Sequence, residues 1–200
     1  MAIGARAHDP EKHALGLDPW VEPFSDKFMR KENDARDSAA VGALADLAPL
    51  LPARGGLIGL DLGTKTIGVA VSDPDRRLAT GVETIARRTF TADTKRILVL
   101  AAERKSAGFV LGLPINMDGS EGPRAQSTRA FARNFAKLTE LPIILWDERL
   151  STVAVERGLI AADMSRARRA EVIDQHAAAF ILQGALDRLA RIGVDQQGRQ

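Results

Sequence analysis

The stretch Gly56-Leu57-Ile58-Gly59-Leu60-Asp61-Leu62-Gly63-Thr64-Lys65-Thr66-Ile67-Gly68-Val69-Ala70-Val71-Ser72-Asp73 decides how this chain folds. Leu57 to Leu62 and Ile67 to Val71 are apolar runs rich in β-branched residues, and the short Gly63 to Thr66 link joins them. Such a link between two such runs predicts an antiparallel hairpin. Ile58, Leu60 and Leu62 alternate with Gly59, Asp61 and Gly63. The period of two therefore puts Asp61 on the face opposite the large apolar side chains. Gly68, Ala70 and Ser72 continue a small-residue face on the second strand. The expectation is open floor around one carboxylate, with room for a metal ion or a phosphate. An Asp near a strand end is equally a turn residue that accepts backbone N–H bonds, so Asp61 needs companions.

Working outward toward the C-terminus, Leu78 to Ile85 reads as a third strand that closes a meander. Thr91 to Ser106 reads as a helix with Ile97, Leu98 and Ala101 inward. Phe109 to Leu113 is a short apolar strand of the kind buried on both faces, stopped by Pro114. The segment Ile115 to Pro123 carries Asn, Asp, Gly and Pro at the density of a structured loop. A loop at the carboxyl end of a buried strand is where ligands sit in α/β sheets, which makes Asn116 and Asp118 candidates of second rank. Arg124 to Leu138 forms an amphipathic helix, with Phe131, Phe135 and Leu138 on one stripe and Arg129, Arg133 and Lys137 on a solvated face. Pro142 to Trp146 is another core strand, and it runs into Asp147-Glu148-Arg149. From Ser151 a further helix is expected, with Ser151 or Thr152 as its N-cap and an interruption at Gly158 and at Met164 to Ala167. The last helix, from Ala170 to about Ile192, has a broad apolar face, and Ala177, Ala178 and Ala179 let it approach a sheet closely. Asp174 shares the stripe of Ala178 and Ile181, toward the packed side, where a carboxylate is costly unless paired or metal-bound. His176 falls about 200° round the helix from Asp174 and reads as a surface or packing histidine.

Working outward toward the N-terminus, Ser38 to Ala48 has Val41, Leu44 and Leu47 at three-residue spacing and predicts a short lead-in helix ended by Pro49 and Pro52. Residues 1–37 have poor apolar periodicity and read as a flexible extension. The organisation expected is an extension over 1–37, a lead-in helix and linker over 38–53, one domain over 54–192 and a tail over 193–200. The net charge of +2 conceals an asymmetry: residues 1–52 hold 6 basic and 9 acidic side chains, which leaves 22 and 17 to the rest. A moderately basic domain is compatible with a polyanionic partner. There is no cysteine, hence no disulfide and no thiolate metal site. No apolar run approaches a membrane span or a signal peptide, and the expectation is a cytoplasmic protein with no membrane partner.

Asp61, Asp147 or Glu148, and Asp174 are far apart in the chain, and only the fold can bring them together. Without a cation their convergence is unfavourable, because each raises the pKa of the others. Hard oxygen ligands without Cys or paired His favour Mg²⁺ or Mn²⁺ over zinc. Such sites handle phosphates by stabilising attacking and leaving oxygens. The chemistry indicated is metal-assisted phosphoryl transfer.

Four motifs in unbroken order over about residues 54 to 190 carry a family resemblance. They are Gly59-Leu60-Asp61-Leu62-Gly63-Thr64-Lys65-Thr66-Ile67-Gly68-Val69-Ala70; Gly112-Leu113-Pro114 with Asn116-Met117-Asp118-Gly119; Asp147-Glu148-Arg149-Leu150-Ser151-Thr152; and Asp174-Gln175-His176-Ala177-Ala178-Ala179. Together they resemble the YqgF family, also called RuvX, of pre-16S rRNA nucleases and Holliday junction resolvases. The resemblance implies a ribonuclease H-like α/β fold: a mixed five-stranded sheet, three antiparallel strands then two parallel ones, with helices on both faces. It also implies Asp61, Glu148 and Asp174 as the catalytic, metal-binding carboxylates of a nuclease. On a regular strand Asp147 and Glu148 point to opposite faces, so only one joins Asp61; Glu148 is favoured. Asp147 and Asp118 remain candidates for a catalytic or supporting role. Thr64 and Lys65 are expected to hold a phosphate. Asn116, Ser151 and Thr152 are further substrate-binding candidates. Arg149 pairs either with a carboxylate or with a backbone phosphate.

The implied role is processing of the 5′ end of the pre-16S rRNA, with ribosomal precursor particles as partners. A resolvase acting on branched DNA predicts a homodimer, since it cuts two strands symmetrically; an RNA-processing nuclease acts as a monomer. An ATP-dependent phosphotransferase would use the Asp61 to Thr66 loop as a phosphate clamp, but those proteins close two such domains around the nucleotide and this chain has room for one. A nucleic-acid- or ribosome-binding module with a weak site is the remaining alternative.

Overall fold

The computed structural model describes residues 39–150 and 166–197, with side chains through the last helix from His176 to Ile192. The chain divides between Ala35 and Arg36, and everything described belongs to the second unit. The expected extension over 1–37, the capping by Ser151 or Thr152 and the helix after them lie outside the described residues.

The hairpin forms as its pattern requires. Strand β2 (Leu57–Leu62) pairs antiparallel with β3 (Thr66–Ser72), with Leu60 opposite Val69 and Asp61 opposite Gly68. Strand β4 (Ala79–Ala86) closes the meander against β3, with a bulge at Val69/Ala70. Beyond β2 the sheet turns parallel: β5 (Gly108–Leu113) pairs with β2, and β6 (Ile143–Asp147) pairs with β5. Helix α2 (Phe90–Glu103) and helix α3 (Pro123–Phe135) supply the crossovers, and helix α4 runs over Arg166–Gln197. Thr89 caps α2 by accepting the Ala92 N–H at 3.2 Å, and Pro123 opens α3, where a missing N–H costs nothing. The last helix starts earlier and ends later than its periodicity predicts.

The sheet has six strands rather than five, in the order β1-β6-β5-β2-β3-β4. The extra strand, β1 (Val41–Ala43), comes from the segment whose spacing predicts a helix. It lies parallel to β6, Val41 opposite Ile143, and only Leu44–Leu47 makes a helical turn, α1. The reason is tertiary. The Ile143 N–H donates to the Ala40 carbonyl at 2.8 Å and the Ala39 N–H to the Ala136 carbonyl at 2.8 Å, so the chain is drawn out along the β6 edge. Leu44 and Leu47 are buried as their spacing predicts. The remaining order β4-β3-β2-β5-β6, an antiparallel meander continued by two parallel strands, is the ribonuclease H-like arrangement.

Two apolar layers hold the sheet. On one face Ile58, Leu60, Ile67, Phe109, Leu111 and Ile143 pack against Ile97, Phe131 and Phe135, with the Phe109 and Phe135 rings edge to face at 4.9 Å between centroids. On the other, Leu57, Ala70, Val110, Ile144 and Trp146 pack against Ala178, Ile181, Leu182 and Leu186 of α4, and Leu44 and Leu47 join them. Asp61 falls on this second face, opposite the large residues of its strand. No helix among the described residues is long and apolar enough to cross a membrane.

Candidate active site

The glycine face is not open along its length. A Cβ at Gly59 would sit 2.7 Å from Leu182 Cβ and 2.9 Å from the Ala178 carbonyl oxygen. The small residues there admit a helix rather than a ligand, which corrects the expected open floor at that position. Ser72 is likewise structural: its hydroxyl accepts the Leu57 N–H at 2.9 Å and donates to the Asp73 carbonyl at 2.9 Å.

Two residues farther along β2, Asp61 is a buried carboxylate, only 7% exposed. The neighbouring parallel strand brings up a companion. Gly112 lies one step beyond the Leu60–Leu111 pair and therefore beside Asp61, one strand spacing of about 4.8 Å away. Glu148 Oε1 lies 2.6 Å from where a Gly112 Cβ would be, next to Ile181 Cδ1 at 2.5 Å. The Glu148 side chain thus reaches back from a 3₁₀ turn, Glu148–Leu150, over β5 to the Asp61 face. Gly112→Ala is expected to cost about 1 kcal/mol by overpacking flexible side-chain ends and to displace Glu148. A nuclease assay of that variant would show lost activity on a fold whose melting is little changed.

Position 174 can be placed by backbone alone. Gly59 is flanked by Ala178 and Leu182. Gln183 Oε1 accepts the Ala79 N–H at 2.9 Å, at the Leu57 level of the sheet because Ala79 pairs with Ser72. Helix α4 therefore runs antiparallel to β2. Four residues back from Ala178 is about 6 Å of helix, and two residues on from Gly59 is about 6.6 Å of strand. Position 174 comes level with Asp61. His176, two residues on, is exposed.

Asp147 takes a different direction. It pairs across from Leu113 and lies on the face opposite Trp146. There it accepts Arg149 Nε at 3.0 Å and Nη2 at 2.6 Å, and these hydrogen bonds hold its carboxyl below the usual range. Arg149 also reaches the Asn116 carbonyl at 3.4 Å. Arg149 is thus paired with the Asp147 carboxylate. The loop it touches is internally braced. Asp118 Oδ1 accepts the Ser120 N–H at 2.9 Å and its hydroxyl at 2.6 Å, the Asn116 amide donates to Ser120 Oγ at 2.9 Å, and Gly119 takes a φ of 87°. The bonds from Ser120 lower the Asp118 pKa. Asn116 and Asp118 thus brace the loop through Ser120.

Thr64 and Lys65 are exposed at the hairpin tip, three and four residues on from Asp61. Arg87, which sequence reading did not single out, secures that tip: its N–H donates to the Lys65 carbonyl at 2.8 Å and its Nη1 to the Gly63 carbonyl at 2.7 Å. Nothing local marks this contact, because it depends on where β4 ends. On α3, Arg129 binds Glu121 through Nε and Nη2, while Arg133 and Lys137 stay on the solvated face. Ser151 and Thr152 lie outside the described residues.

Among the described residues no three His, Asp or Glu side chains gather as a metal site, and the Asp174 side chain is not among them. The two carboxylates that do adjoin have the donor chemistry of a hard divalent cation, oxygen with no sulfur or imidazole, and Asp61 is buried as such a ligand is.

The profile of the RuvX family, described as Holliday junction resolvase, matches residues 55–188. The chain belongs to the RuvX family. A protein of Rhodopseudomonas palustris (strain BisB5), named "Putative pre-16S rRNA nuclease", is 75% identical over 154 residues, 77% of this chain and 96% of the relative. One of the same name from Nitrobacter hamburgensis is 77% identical over 152 residues, 76% of this chain and 93% of the relative. A solved Thermus thermophilus RuvC in complex with Holliday junction substrate aligns at TM-score 0.45 and 10% identity, over 68% of this chain and 96% of that one. This RuvX member is a nuclease, a hydrolase of phosphodiester bonds.

Proposed function

We propose that this RuvX nuclease processes the 5′ end of pre-16S rRNA in the cytoplasm, acting on ribosomal precursor particles, with Mg²⁺ or Mn²⁺ held by Asp61, Glu148 and Asp174. The observation that carries the reading is the convergence of Glu148 and Asp61 over Gly112, on one face at the carboxyl end of the parallel strands. A divalent ion there would offset carboxylate repulsion and supply the Lewis acidity for phosphodiester hydrolysis.

The chain's own part is placement. Asp61 is fixed by a central strand with hydrogen-bonded neighbours on both sides, and Glu148 by a turn that begins where β6 ends. Position 174 comes level with them on a helix pressed against Gly59. Lys65 and Thr64, at the hairpin tip, are positioned to take the phosphate of the substrate, while Asp147, Arg149, Asn116 and Asp118 hold the β5 and β6 loops in shape. The names of the relatives favour a ribosomal RNA precursor, and the family description favours a four-way junction, which would require a homodimer.

The deciding experiment incubates the full chain with Mg²⁺ or Mn²⁺ and two labelled substrates, a precursor 16S fragment and a four-way DNA junction, beside Asp61→Asn. Metal-dependent cleavage of the RNA that falls about a hundredfold or more in the variant is the expected result. Cleavage of the junction alone would give the substrate to the resolvase reading. Tight binding without cleavage of either would make the chain a binding module.

A further inference from the structure

The hairpin tip breaks a rule of sheet design. Thr66 pairs with Ala86, and the Arg87 N–H bonds the Lys65 carbonyl, so Lys65 and Arg87 are cross-strand neighbours, with Arg88 next in line. Like charges set opposite one another destabilise a sheet. The local relief is slight: Asp93 is buried, lies 3.9 Å from Arg87 Nε, and accepts the Arg88 backbone N–H at 3.1 Å. Among the described residues no carboxylate pairs with Lys65 or with the Arg88 guanidinium. Three cations are thus gathered at the end of the sheet where Asp61 lies, and Arg87 spends hydrogen bonds on the tip's backbone to hold them there. A local violation that the fold does not need marks a functional surface.

We propose that Lys65, Arg87 and Arg88 form a rim that grips the phosphodiester backbone beside the scissile bond, with Lys65 and Arg88 contacting phosphates and Arg87 positioning the tip. The inference rests on the nuclease reading above and adds the surface that orients the substrate strand. Contacts of this kind carry no base information and register as counterion release.

The test measures binding of the full chain to a labelled precursor RNA duplex by anisotropy in EDTA, where metal-dependent cleavage does not run, at several salt concentrations. Lys65→Gln with Arg88→Gln is expected to weaken binding at least tenfold and to flatten the slope of log K against log salt by about 2. The same double variant should melt at or above the wild-type temperature, because a repulsion is removed. Arg133→Gln with Lys137→Gln, an equal charge change on the solvated face of α3 and the turn after it, should leave the slope within about 1 of wild type. An unchanged slope in the double variant, or weaker binding with an unchanged slope, overturns the rim. Wild-type cleavage of the RNA, measured separately, keeps the nuclease reading standing if the rim falls; absence of that cleavage with an intact rim effect overturns the nuclease reading alone.

Discussion

Glu148→Gln is expected to reduce metal-dependent cleavage about a hundredfold or more, whereas Asp147→Asn should lose only a few-fold. The two residues are adjacent, but the strand ends between them. Asp147 still obeys the alternation of β6 and is drawn to Arg149 on the far face, while Glu148 begins the 3₁₀ turn and reaches over Gly112 toward Asp61. Removing the Glu148 charge leaves Asp61 without its adjoining carboxylate. Removing the Asp147 charge loosens an exposed pair worth about 1 kcal/mol or less and relaxes the Asn116 loop. Steady-state kinetics with the RNA substrate checks both, and equal losses in the two variants would sink the assignment of Glu148 as ligand.

The second large effect is expected at Gly59. There a methyl group meets Leu182 Cβ and a helix carbonyl oxygen rather than the free ends of side chains. Neither can rotate away, so α4 must move as a body. Gly59→Ala should cost about 3 kcal/mol, roughly 6–12 °C of melting temperature for a domain of this size. It should also impair cleavage, because position 174 rides on the displaced helix. Chemical denaturation measures the first, and a loss below about 1 kcal/mol would mean that α4 sits farther from the sheet than described.

These two cases mark what could be read from residues alone. Strict alternation in β2 placed Asp61 correctly on the face opposite Leu60, whereas Asp147 and Glu148 part company because β6 ends between them, which a regular strand does not predict. Alternation is a property of a strand and survives folding. The glycines were ambiguous, because a small face serves equally to admit a ligand or a helix. At Gly59 it admits Leu182, and nothing short of tertiary structure distinguishes the cases. The three-residue spacing of Val41, Leu44 and Leu47 survives only at Leu44 and Leu47, buried on one helical turn; Val41 is in a strand and packs on the other layer, since its partner is Ile143, far along the chain. Arg87 carried no local signal. Its role arises only when the end of β4 meets the hairpin tip.

Strand β1 has a last consequence. The family profile begins at residue 55, yet β1 and α1 precede it, shielding the β6 edge and lying over Trp146. The profile and the folded sheet therefore have different borders, and the relatives aligned over 154 residues reach past the profile as well. A chain trimmed to the profile would bare three backbone rungs and an aromatic surface to any other chain able to add a strand.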